Sequence, residues 1–458
     1  MKPLLVVLGQ ILTPVVTFQT QIPAPGGYPP PGTRPSRILP STAVKKTANI
    51  PPGYGQLIRT FLRISLLGFG GPNAHLALML DEVADRKGWI TREHFMHLVG
   101  ITNLLPGPNS SEVAIHIGYT QRGWPGAFAT GLAFLLPTLV IVTFFSALYF
   151  RYGSFPAVEG LFWGLKPAIL AVILAAGWKL GKTALGLPKS PNVYLLLLGI
   201  GGTLTAFFLD RMEVPAMVLG GFLSWAIFRK PASEGPKESP PEGPGDSPPP
   251  HTGASDSHSR LSCLGLPLAA SPLAAAAWAP AALGPLGPLF LLMMGAGAVL
   301  FGGGYMLVAL LEPFVVGGYG WLSPDQFLDG IALTQAVPGP IVTLVAFIGF
   351  SVAGIPGALV ATAGIYLPSF AAVLAVAPHL EKWRHAAGFR AALRGVNAVV
   401  AGAILGVGLS LLEPGLPDRW AGALFFVCLL ALVRLRIPAV WVVVGGLAAG
   451  SIHLALAG

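Results

Sequence analysis

Residues 104–114 read LLPGPNSSEVA and residues 336–346 read AVPGPIVTLVA. Each is an apolar run interrupted by Pro-Gly-Pro, and the first resumes through polar side chains. Proline inside a helix removes a backbone donor and clashes with the preceding turn, but at the first helical position neither effect matters. Pro108 therefore reads as the start of a helix, with Gly107 allowing the turn before it. Asn109, Ser110 and Ser111 fall in the first turn, with Glu112 directly behind. Amide groups there lack intrahelical acceptors, and the aligned peptide dipoles leave a partial positive charge, which together suit an anion. Broken helices of this kind, placed at membrane depth, build the substrate sites of many transporters. The competing reading is a simple kink whose freed groups neighbouring helices satisfy, and for one isolated Pro-Gly-Pro it is the commoner case.

Composition places these breaks in a membrane. The 458 residues are 53% hydrophobic and only 10% charged, whereas soluble domains carry about a quarter charged residues. Residues 123–150, 190–209, 261–311 and 330–378 contain no Asp, Glu, Lys or Arg. A spanning helix takes about 20 such residues, so each of the two long runs holds two passes. The fold class expected is an all-α polytopic membrane protein, since no alternating strand pattern supports a barrel. The net charge of +9 then reports orientation in the bilayer and not a nucleic-acid partner. Cys263 and Cys428 both lie in apolar stretches and imply neither a disulfide framework nor a metal site, and no cofactor is expected.

Two Pro-rich tracts divide the chain. Residues 1–56, with IPAPGGYPPPG among them, read as a disordered extension; an apolar stretch behind Lys2 only weakly resembles a signal sequence. Residues 230–260 read as a solvated linker. Between and after them lie a first half (57–229), a connecting membrane segment (261–285) and a second half (286–458).

The halves are copies. Phe69-Gly70-Gly71 matches Phe301-Gly302-Gly303 at an offset of 232, as do Trp89-Ile90-Thr91 with Trp321-Leu322-Ser323 and Pro106-Gly107-Pro108 with Pro338-Gly339-Pro340. At offset 231, Pro125-Gly126-Ala127 matches Pro356-Gly357-Ala358 and Leu136-Pro137 matches Leu367-Pro368. Tandem repeats in a membrane chain point to secondary transporters. Each half reads as six helical elements: 57–87, 94–122, 124–150, 157–180, 190–209 and 212–229, then 286–312, 325–351, 356–378, 389–412, 419–434 and 437–457.

GFGGPNAHLALML at 68–80 repeats the broken-helix logic, with Gly70 and Gly71 permitting a turn, Pro72 starting a helix, and Asn73 and His75 in its first turns. Close helix packing through small residues is the alternative use of these glycines. The second copy, FGGGYMLV at 301–308, keeps Gly302 and Gly303 but carries no Asn or His. The polar dressing is thus uneven: Asn73, His75, Asn103, Asn109, Ser110, Ser111 and Glu112 in one half, against Thr334, Gln335 and Thr343 in the other. The substrate-site expectation is a cavity shared by the breaks at Gly70–Pro72 and Pro106–Pro108 and those at Gly302–Gly303 and Pro338–Pro340. Lys166, inside an apolar helix, either attracts the anion or neutralises Glu112, or it snorkels or is paired for structure. Its counterpart is Asn397. Gly181-Lys182-Thr183 lacks the spacing of a phosphate loop, His94 and His97 lack further metal ligands, and no nucleophile-base pair is evident.

FGGPNAHLALM, GWITREHF, LLPGPNSSEVAIHIGY and RGWPGAFATGLAFLLP, followed by FGGGYMLVALL, GWLSPDQF, QAVPGP and GVNAVV, resemble the chromate ion transporter family in its long form with two homologous halves. The resemblance covers about residues 57–229 and 286–412. It implies a bacterial inner-membrane carrier that moves chromate, commonly outward, coupled to the proton-motive force or to exchange. Expected partners are chromate or a sulfate-like oxyanion, the lipid bilayer, a coupling proton or counter-ion, and a second copy of the chain. A sulfate or other anion carrier, and an integral-membrane enzyme using His75 or Glu112, are the alternatives.

Basic residues add an orientation. Six crossings from the cytoplasm leave Arg122, Lys179, Lys182 and Arg229 inside and Arg86, Lys87, Arg92, Arg151 and Arg211 outside in the first half. In the second, Lys382, Arg384, Arg390, Arg394, Arg434 and Arg436 fall inside only if that half is inverted, with residues 261–285 as the extra crossing. Thirteen crossings of an inverted repeat result.

Overall fold

The computed structural model describes residues 51–68, 71–153, 155–185, 192–209, 211–228, 284–301, 303–376 and 386–457. Regular structure among them is entirely helical. Nearly all of the expected extension, linker and connecting segment lies outside the described residues, as do Gly70 and Gly302.

The first half contributes α1 (Tyr54–Leu67), α2 (Pro72–Met79, prolonged by wider π-type turns over Leu80–Arg86), α3 (Arg92–Thr102), α4 (Asn109–Tyr152), α5 (Pro156–Leu185), α6 (Val193–Phe208) and α7 (Glu213–Phe228). The second contributes α8 (Leu286–Val299), α9 (Met306–Glu312, prolonged over Pro313–Gly318), α10 (Pro324–Ala336), α11 (Leu344–Ala371), α12 (Ala387–Ser410), the short α13 (Leu412–Gly415), α14 (Arg419–Val433) and α15 (Ala439–Ala457).

The expected elements 57–87 and 94–122 each resolve into two helices. α1 stops at Leu67 and α2 starts at Pro72; α3 stops at Thr102 and α4 starts at Asn109. Both pairs return to the end from which they began. Arg122 donates from Nε to the Pro52 carbonyl and from Nη2 to the Pro51 carbonyl, each at 3.0 Å, and Gln121 Nε2 donates to the Trp89 carbonyl at 3.2 Å. The start of α1, the α2–α3 connection and the turn at Arg122 therefore lie together, around a cleft of about 640 Å³ lined by Gln56, Arg59, Lys87 and Trp89. This corrects the expectation that Arg86, Lys87 and Arg92 lie opposite Arg122. The physical reason is the break: after Leu67 and after Thr102 the chain turns and new helices start at Pro72 and Asn109, so each pair doubles back.

α4 is likewise two arms. Arg122 (φ −142°) and Gly123 (φ 62°, ψ −150°) leave helical geometry, a conformation open to glycine and strained for other residues. Thr130 Oγ1 donates to the Ala114 carbonyl at 2.8 Å, although in a straight helix 16 residues would separate them by about 24 Å. Gly118 and Gly126 sit at the crossing, where a methyl on either would strike the other's carbonyl. α11 repeats this with Ala353 (φ −151°), Gly354 (φ 59°, ψ −143°) and a Gly349–Gly357 crossing.

Outside, the long arm of α4 presents Phe128, Leu132, Leu136, Val140 and Phe144, all exposed and four residues apart. Such an apolar stripe suits lipid. By length and composition, five helices among the described residues can cross a membrane: 109–152, 158–185, 341–375, 388–410 and 439–456.

Candidate functional site

The breaks of the two halves meet. The Gly107 amide donates to the Leu300 carbonyl at 2.8 Å, and the Gly339 amide donates to the Gly68 carbonyl at 3.1 Å. Adding 232 to 68 gives 300 and adding it to 107 gives 339, so the two bonds are one contact repeated with the halves exchanged. Each amide belongs to a Pro-Gly-Pro, and each carbonyl belongs to the residue before a Phe-Gly-Gly. Gly107 (φ 145°) and Gly339 (φ 127°) adopt conformations that a side chain would strain.

Around this shared frame the side chains differ. At the second-half break they are satisfied locally: Gln335 Nε2 donates to the Tyr305 hydroxyl at 2.9 Å, Thr343 Oγ1 to the Pro340 carbonyl at 2.8 Å, and Thr334 Oγ1 to the Gly330 carbonyl at 3.0 Å. Thr138, which faces Gly339, donates to the Pro338 carbonyl at 3.1 Å and lies 3.3 Å from Ser65 Oγ.

At the first-half break, part of the polar set forms a local mesh. Thr102 Oγ1 donates to Asn109 Oδ1 at 2.6 Å, and Asn109 Nδ2 donates to Asn103 Oδ1, which staples the end of α3 to the start of α4. Behind it lies a buried polar set. Both oxygens of Glu112 and Ser369 Oγ make no hydrogen bond among the described residues, while the hydroxyls of Ser111 and Tyr366 lie against each other and His75 lies against the Gly68 main chain. Ser111, Glu112, His75 and Ser369 are each fully buried. Glu112 Oε1 and Ser369 Oγ flank the same face of Gly107, where a methyl would collide with both. His75 packs beside Gly68 and edge-on to Phe134, with ring centroids 5.1 Å apart. Unpaired buried polar atoms are costly, and Glu112 and Ser369 hold such oxygens on one spot beside Gly107.

The structure thus brings together Gly107, Ser111 and Glu112 of the expected set at the Pro108 helix start, and places His75 with Gly68 at the companion contact that Gly339 makes. Ser110 is buried on the same turn, whereas Asn73 is exposed at the start of α2, beside the half-buried Gly71 and Pro72. Pro106 and Pro340 flank the two bonded amides. Gly303 (φ 106°) opens the turn into α9. Asn397 lies on α12, where its neighbours Val396 and Val399 pack against Gly221 and Gly220 of α7.

Lys166 is placed elsewhere. Its Nζ lies 2.7 Å from Asp325 Oδ1 and 3.5 Å from Asp329 Oδ1, and Tyr149 OH donates to Asp329 Oδ2 at 2.7 Å. These residues, with Glu159 and Trp163, line a cavity of about 450 Å³ between the halves, and none of the break residues lines it. The ammonium is matched by carboxylates there, so its charge is not offered to the breaks in this state.

Sequence reasoning missed Tyr366 and Ser369, which lie far along the chain from either Pro-Gly-Pro. The signal was available: Thr138 and Ser369 follow the matched Leu136-Pro137 and Leu367-Pro368 pairs, so each half lends a hydroxyl to the other's break. Asp325 and Asp329 were missed because an ion pair between halves has no local pattern.

Described residues that are all helical, with crossing-length apolar helices, a lipid-suited outer face and buried polar groups at the helix breaks, are those of a multi-pass membrane protein of transporter type. Its family follows from comparison. The chain belongs to the chromate transporter family, whose model, described as Chromate transporter, matches residues 55–225 and 287–451. It is similar to the chromate transport protein of Cupriavidus metallidurans, at 30% identity over 401 residues covering 87% of this chain and 92% of that one. It is also similar to the probable chromate transport protein of Synechococcus elongatus (30% identity; 84% and 91% covered) and the chromate transport protein of Pseudomonas aeruginosa (30%; 81% and 83%). No solved structure matches. Members of the family are transport proteins and not enzymes, so His75 and Glu112 are not read as catalytic groups.

Proposed function

We propose that the protein is a secondary transporter of a tetrahedral oxyanion, chromate first, moving it outward across the bacterial inner membrane. The observation that carries the reading is the buried polar set at the Pro108 helix start, in which the oxygens of Glu112 and Ser369 have no partner among the described residues. Its hydroxyls are donors, the helix start adds oriented amides and partial positive charge, and the surrounding interior has low dielectric, where such donors act strongly on an anion. Ser111 on one side and Ser369 and Tyr366 on the other draw the site from both halves. Asn73, Asn109 and Ser110 line the approach.

The halves are read as inverted repeats. Tyr149, Trp163 and Lys166 contact Asp329, Asp418 and Asp325, so the α4–α5 connection lies at the same end as the start of α10. The Arg211 guanidinium lies 5.7 Å above the Phe314 ring, which adds the α6–α7 connection to that end. The re-entrant pairs of the first half open at the Arg122 end and those of the second at the Lys166 end. Helix direction then puts Lys87, Arg92, Arg122, Lys182, Arg394 and Arg434 at one end and Arg151, Arg211 and Arg419 at the other, a positive-inside bias with Arg122 cytoplasmic. Four crossings per half (the long arm of α4, then α5, α6 and α7, and their counterparts) plus residues 261–285 make nine. The two re-entrant pairs in each half replace four of the thirteen expected in all.

The test is purified protein in liposomes taking up labelled chromate or sulfate. Saturable uptake of either supports carriage of an oxyanion, and competition between them ranks the two. Unchanged uptake after alanine replaces Asn73, Asn109, Ser110 and Ser111 together, at normal yield, rejects the site.

A further inference from the structure

Glu112 is the group that an oxyanion site leaves unexplained. It lies in the first turn of α4, is fully buried, and has no partner for either oxygen among the described residues. As a carboxylate it would repel a dianion and would hold its negative oxygen against Gly107, beside Ser369, where that anion has to sit. As a neutral acid it gains a donor O–H and joins the hydroxyls of Ser111, Ser369 and Tyr366 in a donor-rich pocket. The buried carboxylate of Asp329 is answered by Lys166 and Tyr149, whereas among the described residues neither oxygen of Glu112 has a partner.

The titratable groups around it do not supply the missing charge. α2 brings His75, α4 itself brings His116 one turn on, and α11 brings Tyr366; none forms a hydrogen bond or ion pair with Glu112 among the described residues. α3 brings His94 and His97, whose rings stack on each other. α10 brings its carboxylates only to the far end of α4, beside Tyr149.

We propose that Glu112 is the proton-binding group of the site, so that a divalent oxyanion enters only together with a proton. Glu112 takes a proton from the aqueous phase the anion comes from, forming the Oε–H bond. That hydroxyl donates to a bound oxyanion oxygen, and the proton returns to water on the other side as the anion leaves. No bond of the anion is made or broken, and each cycle moves one dianion and one proton, a net charge of −1. This rests on the oxyanion reading above and specifies its coupling.

The test uses the full chain in liposomes loaded with a trapped pH indicator. Labelled sulfate is the first probe because it stays a dianion throughout, whereas chromate itself takes up a proton near neutrality; chromate is used where sulfate is refused. One proton is expected to cross with each anion, and uptake should rise at least about ten-fold as pH falls from about 8.5 to about 5.5. Glu112→Gln should abolish proton movement and flatten the pH profile of the remaining exchange. Anion flux without protons in the wild type, or an unaltered profile in Glu112→Gln, overturns the proposal. If that variant does not fold, the wild-type proton-to-anion ratio alone decides. A wild type that carries neither anion overturns the oxyanion reading, and this one with it.

Discussion

The amide of Gly107 donates to the carbonyl of Leu300 at 2.8 Å, joining the Pro-Gly-Pro of one half to the Phe-Gly-Gly of the other, and Gly339 and Gly68 repeat the bond at 3.1 Å. Neither half can form its break alone. One freed amide of each break is answered by a carbonyl of the other, at a depth where main-chain polar groups need partners.

Gly107→Ala tests that frame. Alanine at φ 145° is strained by about 1–3 kcal/mol, and its methyl meets Glu112 and Ser369. Transport should be lost and the melting temperature in detergent lowered. Gly339→Ala meets Thr138 instead and should lower the melting temperature comparably while sparing more of the anion affinity. Equal loss of affinity in both would mean that the two breaks serve the anion alike.

Ser369→Ala removes a hydroxyl with no hydrogen-bond partner among the described residues, and Tyr366→Phe one that meets only Ser111. Each should leave the melting temperature within about a degree or raise it, while weakening anion binding by about 1 kcal/mol, roughly five-fold. Thr138→Ala, which breaks a bond to the Pro338 carbonyl, should show the reverse pattern. Binding titrations beside thermal melts read both quantities.

Lys166→Gln leaves Asp329, 7% exposed, without its cation, and breaking such a buried pair costs about 3–5 kcal/mol. Adding Asp329→Asn should restore much of the lost stability and transport. A double variant that stays as inactive as Lys166→Gln, yet folds well, would show that the ammonium acts on the anion directly.

Topology is checked by single cysteines in a chain lacking Cys263 and Cys428. Glu93→Cys lies in the α2–α3 region that the breaks return to the Arg122 end, and Gly317→Cys lies in open space at the opposite end. In intact cells an impermeant thiol reagent should label position 317 and spare position 93. Labelling of position 93 would restore the six-crossing arrangement of the first half.

Much of this was legible in sequence because it is local. Pro108 and Pro72 announce helix starts through their missing amide hydrogens, and the paired landmarks announce duplication. The hairpin inside 109–152 was anticipated at Gly123, where the expected second element ended. The return of each broken pair to its starting end was not, since a proline marks that a helix stops and carries no direction for the chain beyond it. The partners of Lys166, and the contributions of Tyr366 and Ser369, depend on how the halves dock. No periodicity within either half encodes that docking.

The crossed bonds at Gly107 and Gly339 separate framework from furnishing. They are written in main-chain atoms, which every residue type carries, while the groups that meet the cargo hang from Ser111, Glu112, Tyr366 and Ser369. Exchanging those four side chains can re-tailor the compartment to an anion of another size or basicity without disturbing the joint that holds it open. One architecture can thereby serve a spectrum of cargoes, with selectivity adjusted at a handful of positions and the scaffold left untouched.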